Sequence, residues 1–164
     1  MISKDDLLSL MLRECDICVH LHKKLPAGSM DFRFTPPQRS TRELLQYLSF
    51  IGIGATRSMI AGNWDAYTEA AKAAESLDPA DFPAAMERQK AALRALFAET
   101  SEQDLREKPF NLPWDQVMPL AKAILTLPYA SLVAYRMQLF LHAKAAGNAS
   151  IGTANCWAGI DMPA

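Results

Sequence analysis

A chain of 164 residues, half of them hydrophobic and only 21% charged, carries enough apolar material for one buried core and is too hydrophobic for a disordered segment. Lysine plus arginine against aspartate plus glutamate is 17 against 18, a formal charge of -1, so neither phosphate backbones nor anionic lipid is a default partner. Three cysteines, an odd number in a chain with ample core, fit reduced thiols better than a disulfide scaffold.

Residues 1–8, with Asp5 and Asp6 ahead of the first leucines, lack the basic start of a secretory signal, and the apolar stretches are broken by polar residues before they reach bilayer length. A cytoplasmic protein of one domain, 1–164, is the expectation. Residues 5–25 place Leu8, Met11, Leu12, Cys15, Cys18, Val19 and His22 at helical spacing, and Pro26 with Gly28 stops that helix. The following residues, with Pro36 and Pro37, form a long connection. Ser40 and Glu43 have capping-box spacing, so a second helix starts there and runs toward Gly62. Its apolar residues surround the axis, which predicts burial on most sides, and Gly52 and Gly54 predict close helix approach or a kink.

Residues 63–65 mark a turn before a short alanine-rich helix. Asp78 and Pro79 read as a helix start, and Phe82 to about Glu99 as a third long helix. Residues 100–103 open a short capped turn, and residues 107–114 read as an ordered loop with a short strand-like pair. Residues 115–127 are helical by pattern, with Val117, Leu120, Ala121 and Ile124 on one side. Pro128 ends or kinks that helix; a kink would make 115–147 one long element. The tail, 150–164, reads as irregular and anchored by Trp157. The sum is an all-α four-helix bundle with long connections.

Within residues 128–147, Ser131, Tyr135, Gln138 and His142 fall on one side of the helix, a polar stripe able to line a cleft. Residues 135–139, Tyr-Arg-Met-Gln-Leu, resemble the His-Arg-Gly-Gln-Leu segment of the last bundle helix in DinB-like proteins. Pro37-Gln38-Arg39-Ser40 before Glu43-Leu44-Leu45, and Gln46-Tyr47-Leu48, resemble the second helix of that family. The resemblance implies a DinB-like bundle of up-down-down-up topology with crossover connections, and a homodimer. It also implies a metal held by one histidine from the second helix and two, four residues apart, from the fourth.

Carried over, those positions are Gln46, Ser131 and Tyr135, none of them histidine. Glutamine is a weak neutral ligand, serine a poor one, and tyrosine binds metals chiefly as phenolate, so no metal or other cofactor is expected. Two functions then compete. One is a small-molecule-binding or non-catalytic homodimeric bundle whose altered cleft holds Gln46, Ser131 and Tyr135, with Gln138 and His142 as further lining residues. The alternative is a metal- or thiol-dependent transferase or hydrolase with an altered site, served by zinc or nickel. Cys15 and Cys18 form a CxxC followed by His20 and His22, yet Cys15, Cys18 and His22 share a face with Leu8, Leu12 and Val19, which points to core thiols. Arg136 matches the family arginine and is expected in a structural ion pair with a buried acid. Trp64, Trp114 and Trp157 lack the basic neighbours of a stacking platform and are expected to pack.

Overall fold

The computed structural model describes residues 2–162. Helix α1, Lys4–His22, opens on a capping box in which Ser3 and Asp6 satisfy each other's backbone amides. Helix α2, Thr41–Ala61, opens on the Ser40/Glu43 box and closes at Gly62, whose φ of 79° is the left-handed geometry that glycine adopts without strain. Helix α3, Asp65–Ala74, is the short alanine-rich piece. A 3-10 turn, Pro79–Asp81, capped by Asp78, leads into α4, Phe82–Glu99. Helix α5, Glu102–Glu107, follows its Ser101 cap.

Strands β1, Pro109–Asn111, and β2, Val117–Pro119, pair antiparallel with Phe110 opposite Met118. This hairpin replaces the first part of the helix expected over 115–127. Asp115 has a φ of 63°, and its carboxylate accepts from Asn111 Nδ2 at 3.0 Å, which closes the loop and delays the helix to Leu120. Val117, expected on an apolar helix face, stands exposed on β2. Helix α6, Leu120–Ile124, then passes through a π turn, Leu125–Tyr129, into α7, Ala130–Ala145. Pro128 has no amide to donate, and the wider turn absorbs the break without stopping the helix. The resulting rod, Leu120–Ala145, has 26 residues and is long and apolar enough to cross a membrane by length and composition, contrary to the expectation that no stretch would be.

The tail is less irregular than expected. Helix α8, Thr153–Trp157, docks through Ile151, Asn155 and Cys156, all buried, while Trp157 is 55% exposed and is not the anchor.

End-to-end contacts fix the topology. Lys4 at the start of α1 meets Thr100 and Glu102 just past the end of α4, and His22 at the end of α1 meets Pro79 before α4, so these two helices are antiparallel. Asn148 after α7 reaches Lys24 after α1, so α1 and α7 are parallel. Thr41 at the start of α2 meets His142 near the end of α7, so that pair is antiparallel. The directions are up, down, down, up for α1, α2, α4 and α7. Because α2 and α4 run the same way, the chain must return along the bundle between them, and α3 makes that return against α2.

The core is built from Met11, Cys15 and Cys18 of α1, Leu44, Leu48 and Ile51 of α2, Phe82, Met86 and Leu93 of α4, and Leu132 and Leu139 of α7. The two glycines of α2 are where other helices come closest. A Cβ at Gly52 would lie 3.0 Å from Gln89 Oε1, and one at Gly54 would lie 3.3 Å from Ala70 Cβ on α3. The space at Gly52 lets the buried Gln89 amide bridge the α2 backbone, donating to the Leu48 carbonyl at 3.0 Å and accepting from the Ile53 amide at 3.1 Å. A buried amide with both ends satisfied holds α4 in register on α2.

Among the described residues two cations are buried: Lys90 of α4 pairs with the exposed carboxylates of Asp16 and Glu87, whereas Arg136 and its partner Glu14 are both buried. Arg136 Nε and Glu14 Oε2 meet at 2.6 Å with side chains 3% and 2% exposed, too oblique for a full hydrogen bond. The guanidinium also donates to the Cys156 carbonyl, and Arg13 donates to the Trp157 carbonyl at 2.5 Å, so α1 and α7 together hold α8. This is the structural pair expected of Arg136.

Candidate functional site

The end of the bundle where α2 begins and α7 ends is covered by the connection between α1 and α2. Ser40 caps α2, so Arg39 stands just outside the helix and turns its guanidinium back over the rings of Tyr47 and Tyr135, 4.2 Å and 5.2 Å from their centroids. Its Nη1 donates to Tyr135 Oη at 3.2 Å. The two tyrosine rings meet edge to face at 4.6 Å. A cation held over two aromatic faces is favoured by their quadrupoles and loses little entropy when it binds an anion. Arg33, Arg39, Glu43, Tyr135 and Gln138 line a cleft of about 620 Å³ beside this stack. Arg33 pairs with Glu43 at 3.3 Å, and the Glu43 carboxyl is held below its ordinary range chiefly by the Ser40 amide. Arg39 has no carboxylate in ion-pair contact among the described residues.

The five residues singled out from sequence do not form one site. Tyr135 and Gln138 line the cleft. Gln46 turns away and donates to the Glu75 carbonyl at 2.8 Å, tying α2 to the end of α3. Ser131 lies close enough to the phenol of Tyr47 to influence it, and the Tyr47 ring packs from α2 against Tyr135 of α7. Burial, with Tyr67 and Tyr135 nearby, pushes that phenol up to about 12, against the pull of Ser131 and Arg39, so Tyr47 stays protonated at physiological pH. His142 is 1% exposed and lies outside the cleft. Its Nδ1 is 3.0 Å from Thr41 Oγ1, and Phe32 and Phe34 pack edge-on against its ring at 5.4 Å and 5.1 Å. Burial lowers its pKa, which favours the neutral ring. Instead of lining the cleft, His142 is a core residue that fastens the 23–40 connection onto the bundle.

Sequence reasoning missed Tyr47, Arg39 and Arg33 as site residues. Tyr47 and Arg39 lie within the segments that carry the resemblance, but no spacing marks them, because their meeting depends on how α2 and α7 pack.

In sequence, no family model and no curated protein matches the chain. In structure it is similar to the crystal structure of a DinB-like protein, YjoA, from Bacillus subtilis, with a TM-score of 0.67 over 90% of this chain and 96% of that one, at 13% identity. The fold is DinB-like.

Within this DinB-like bundle the CxxC offers no nucleophile. Cys15, Cys18 and Cys156 are buried free thiols. Burial is the first cause in each case, raising Cys15 to about 12 and Cys18 and Cys156 above their ordinary value. His22 donates through Nε2 to the Pro79 carbonyl at 2.8 Å and leaves Nδ1 buried without a partner, so it too is held neutral. Among the described residues no group of three or more histidine, cysteine, aspartate or glutamate side chains stands where it could hold a metal ion.

Proposed function

We propose that this DinB-like protein is a non-metal, small-molecule-binding bundle whose ligand carries an anionic group and sits in the cleft beside Arg39. The observation that carries the reading is Arg39 itself, a guanidinium mounted over Tyr47 and Tyr135 at the edge of a cleft of about 620 Å³. The volume lies within the range of small-ligand sites, and the mainly polar lining suits a charged rather than an apolar ligand. Gln138 and Tyr135 supply neutral donors and acceptors beside the charge.

The donor set at the family's metal positions does not fit a divalent metal. Gln46 is spent on a carbonyl, the Ser131 hydroxyl is a poor ligand, and the Tyr135 oxygen accepts from a cation that would repel a second one. Ligand binding in the cleft therefore needs no metal. The proposed assembly is a homodimer, as the family resemblance implies.

The deciding experiment is elemental analysis of protein purified without a histidine tag, combined with a thermal screen of small carboxylates. The expected outcome is zinc and nickel well below one per chain, and a carboxylate that raises the melting temperature of the wild type but not of Arg39→Ala. A stoichiometric transition metal that is lost on Gln46→Ala, Ser131→Ala or Tyr135→Phe would overturn the reading in favour of the transferase alternative. Light scattering on the same sample measures the oligomeric state.

A further inference from the structure

A second pocket lies at the opposite end of the bundle, where α1 begins and α4 has ended, and it has a different chemistry. Its volume is about 260 Å³. Leu7 of α1 and Leu105 of α5, 1% and 3% exposed, form the floor, and Ala121 and Leu125 form a wall. The rim carries Arg106 and Lys122, both exposed and neither in an ion pair among the described residues. With Lys4 and Glu102 the rim carries three cations against one carboxylate, a net positive charge. Glu102 accepts from the Lys4 amide at 2.9 Å, and Lys4 Nζ donates to the Thr100 carbonyl at 3.0 Å.

We propose that this pocket binds one molecule of a medium-chain carboxylate, its tail on Leu7 and Leu105 and its head between Arg106 and Lys122. Charge complementarity selects this occupant. A neutral apolar ligand would make no use of the net positive rim, and a small hydrophilic anion would leave the leucine floor uncovered. Leu125 adds an independent observation. It is the first residue of the π turn, and such turns recur at ligand sites because the extra residue re-aims the side chains around it. Pro128 enforces that turn, so the wall of the pocket is set by the residue that keeps α6 and α7 from being one regular helix.

The test is a titration of isotope-labelled protein with sodium octanoate, octanol and sodium acetate, followed by amide chemical shifts. Octanoate is expected to saturate one site per chain, with the largest shifts at Leu7, Leu105 and Ala121, and to bind at least about tenfold more tightly than octanol or acetate. The double variant Arg106→Gln/Lys122→Gln alters only exposed side chains, and is expected to weaken octanoate about tenfold while keeping the wild-type spectrum elsewhere. Octanoate shifts that do not saturate, or that scatter over the surface, would overturn the proposal. So would octanol or acetate binding as tightly as octanoate, or an unchanged affinity in the double variant.

Discussion

Arg136 and Glu14 show what a buried charge does in a core of this kind. With both side chains almost fully buried, burial raises the Glu14 carboxyl while Arg136 and Arg13 pull it back. Replacing Glu14 by alanine leaves the guanidinium without its counter-ion, and removing one partner of such a pair costs about 3–5 kcal/mol. Urea unfolding of Glu14→Ala is expected to show a loss of that size, and a loss under about 1 kcal/mol would mean that the Cys156 carbonyl alone satisfies Arg136. At this scale the sequence was partly legible. Helical spacing put Ser131, Tyr135, Gln138 and His142 on one stripe, and Arg136 was expected to be paired. What covers the stripe is a long-range fact. Phe32 and Phe34, more than one hundred positions earlier in the chain, close over His142, and no local pattern in α7 announces them.

At the scale of elements, caps and glycines carried most of what could be read. The Ser40/Glu43 box, the Asp78 cap and the Gly62 stop all lie where local chemistry puts them. The hairpin at β1 and β2 was obscured because Val117, Leu120, Ala121 and Ile124 also fit a helical face, and the competing turn at Asp115 left no glycine to mark it. The approach of α4 to α2 at Gly52 yields a sharper expectation. Gly52→Ala gains about 1 kcal/mol of helix propensity but sets a methyl 3.0 Å from Gln89 Oε1 and 3.2 Å from Leu132 Cδ1. Gln89 is pinned by two backbone bonds and cannot swing away without losing them. The net expected result is a loss of about 1–3 kcal/mol in chemical unfolding, the ordinary cost of overpacking. A stabilised Gly52→Ala protein would show that Gln89 yields freely.

For the molecule as a whole, the three histidines act in one direction on stability. Burial is the leading cause that lowers His20, His22 and His142 below the ordinary 6.5. The unfolded chain then takes up protons near pH 6.5, while the folded chain takes them up only at lower pH. Between those values the unfolded state binds more protons, so stability is complete above about pH 6.5 and falls as the pH drops through the folded values. Asp6, Glu43 and Asp161, lowered mainly by hydrogen bonds to Ser3, Ser40 and Lys24, extend the loss at more acid pH. Urea midpoints at pH 8, 6 and 5 are expected to decline in that order, and equal midpoints would sink the assignment of neutral buried rings. The up-down-down-up order has a kinetic consequence as well. Asn148 and Lys24 meet although they are 124 residues apart, and Lys4 meets Thr100 across 96. Such loops must close before their contacts repay the lost chain entropy, so this bundle is expected to fold more slowly than an up-down-up-down bundle of equal helix content, where each helix packs on its immediate predecessor.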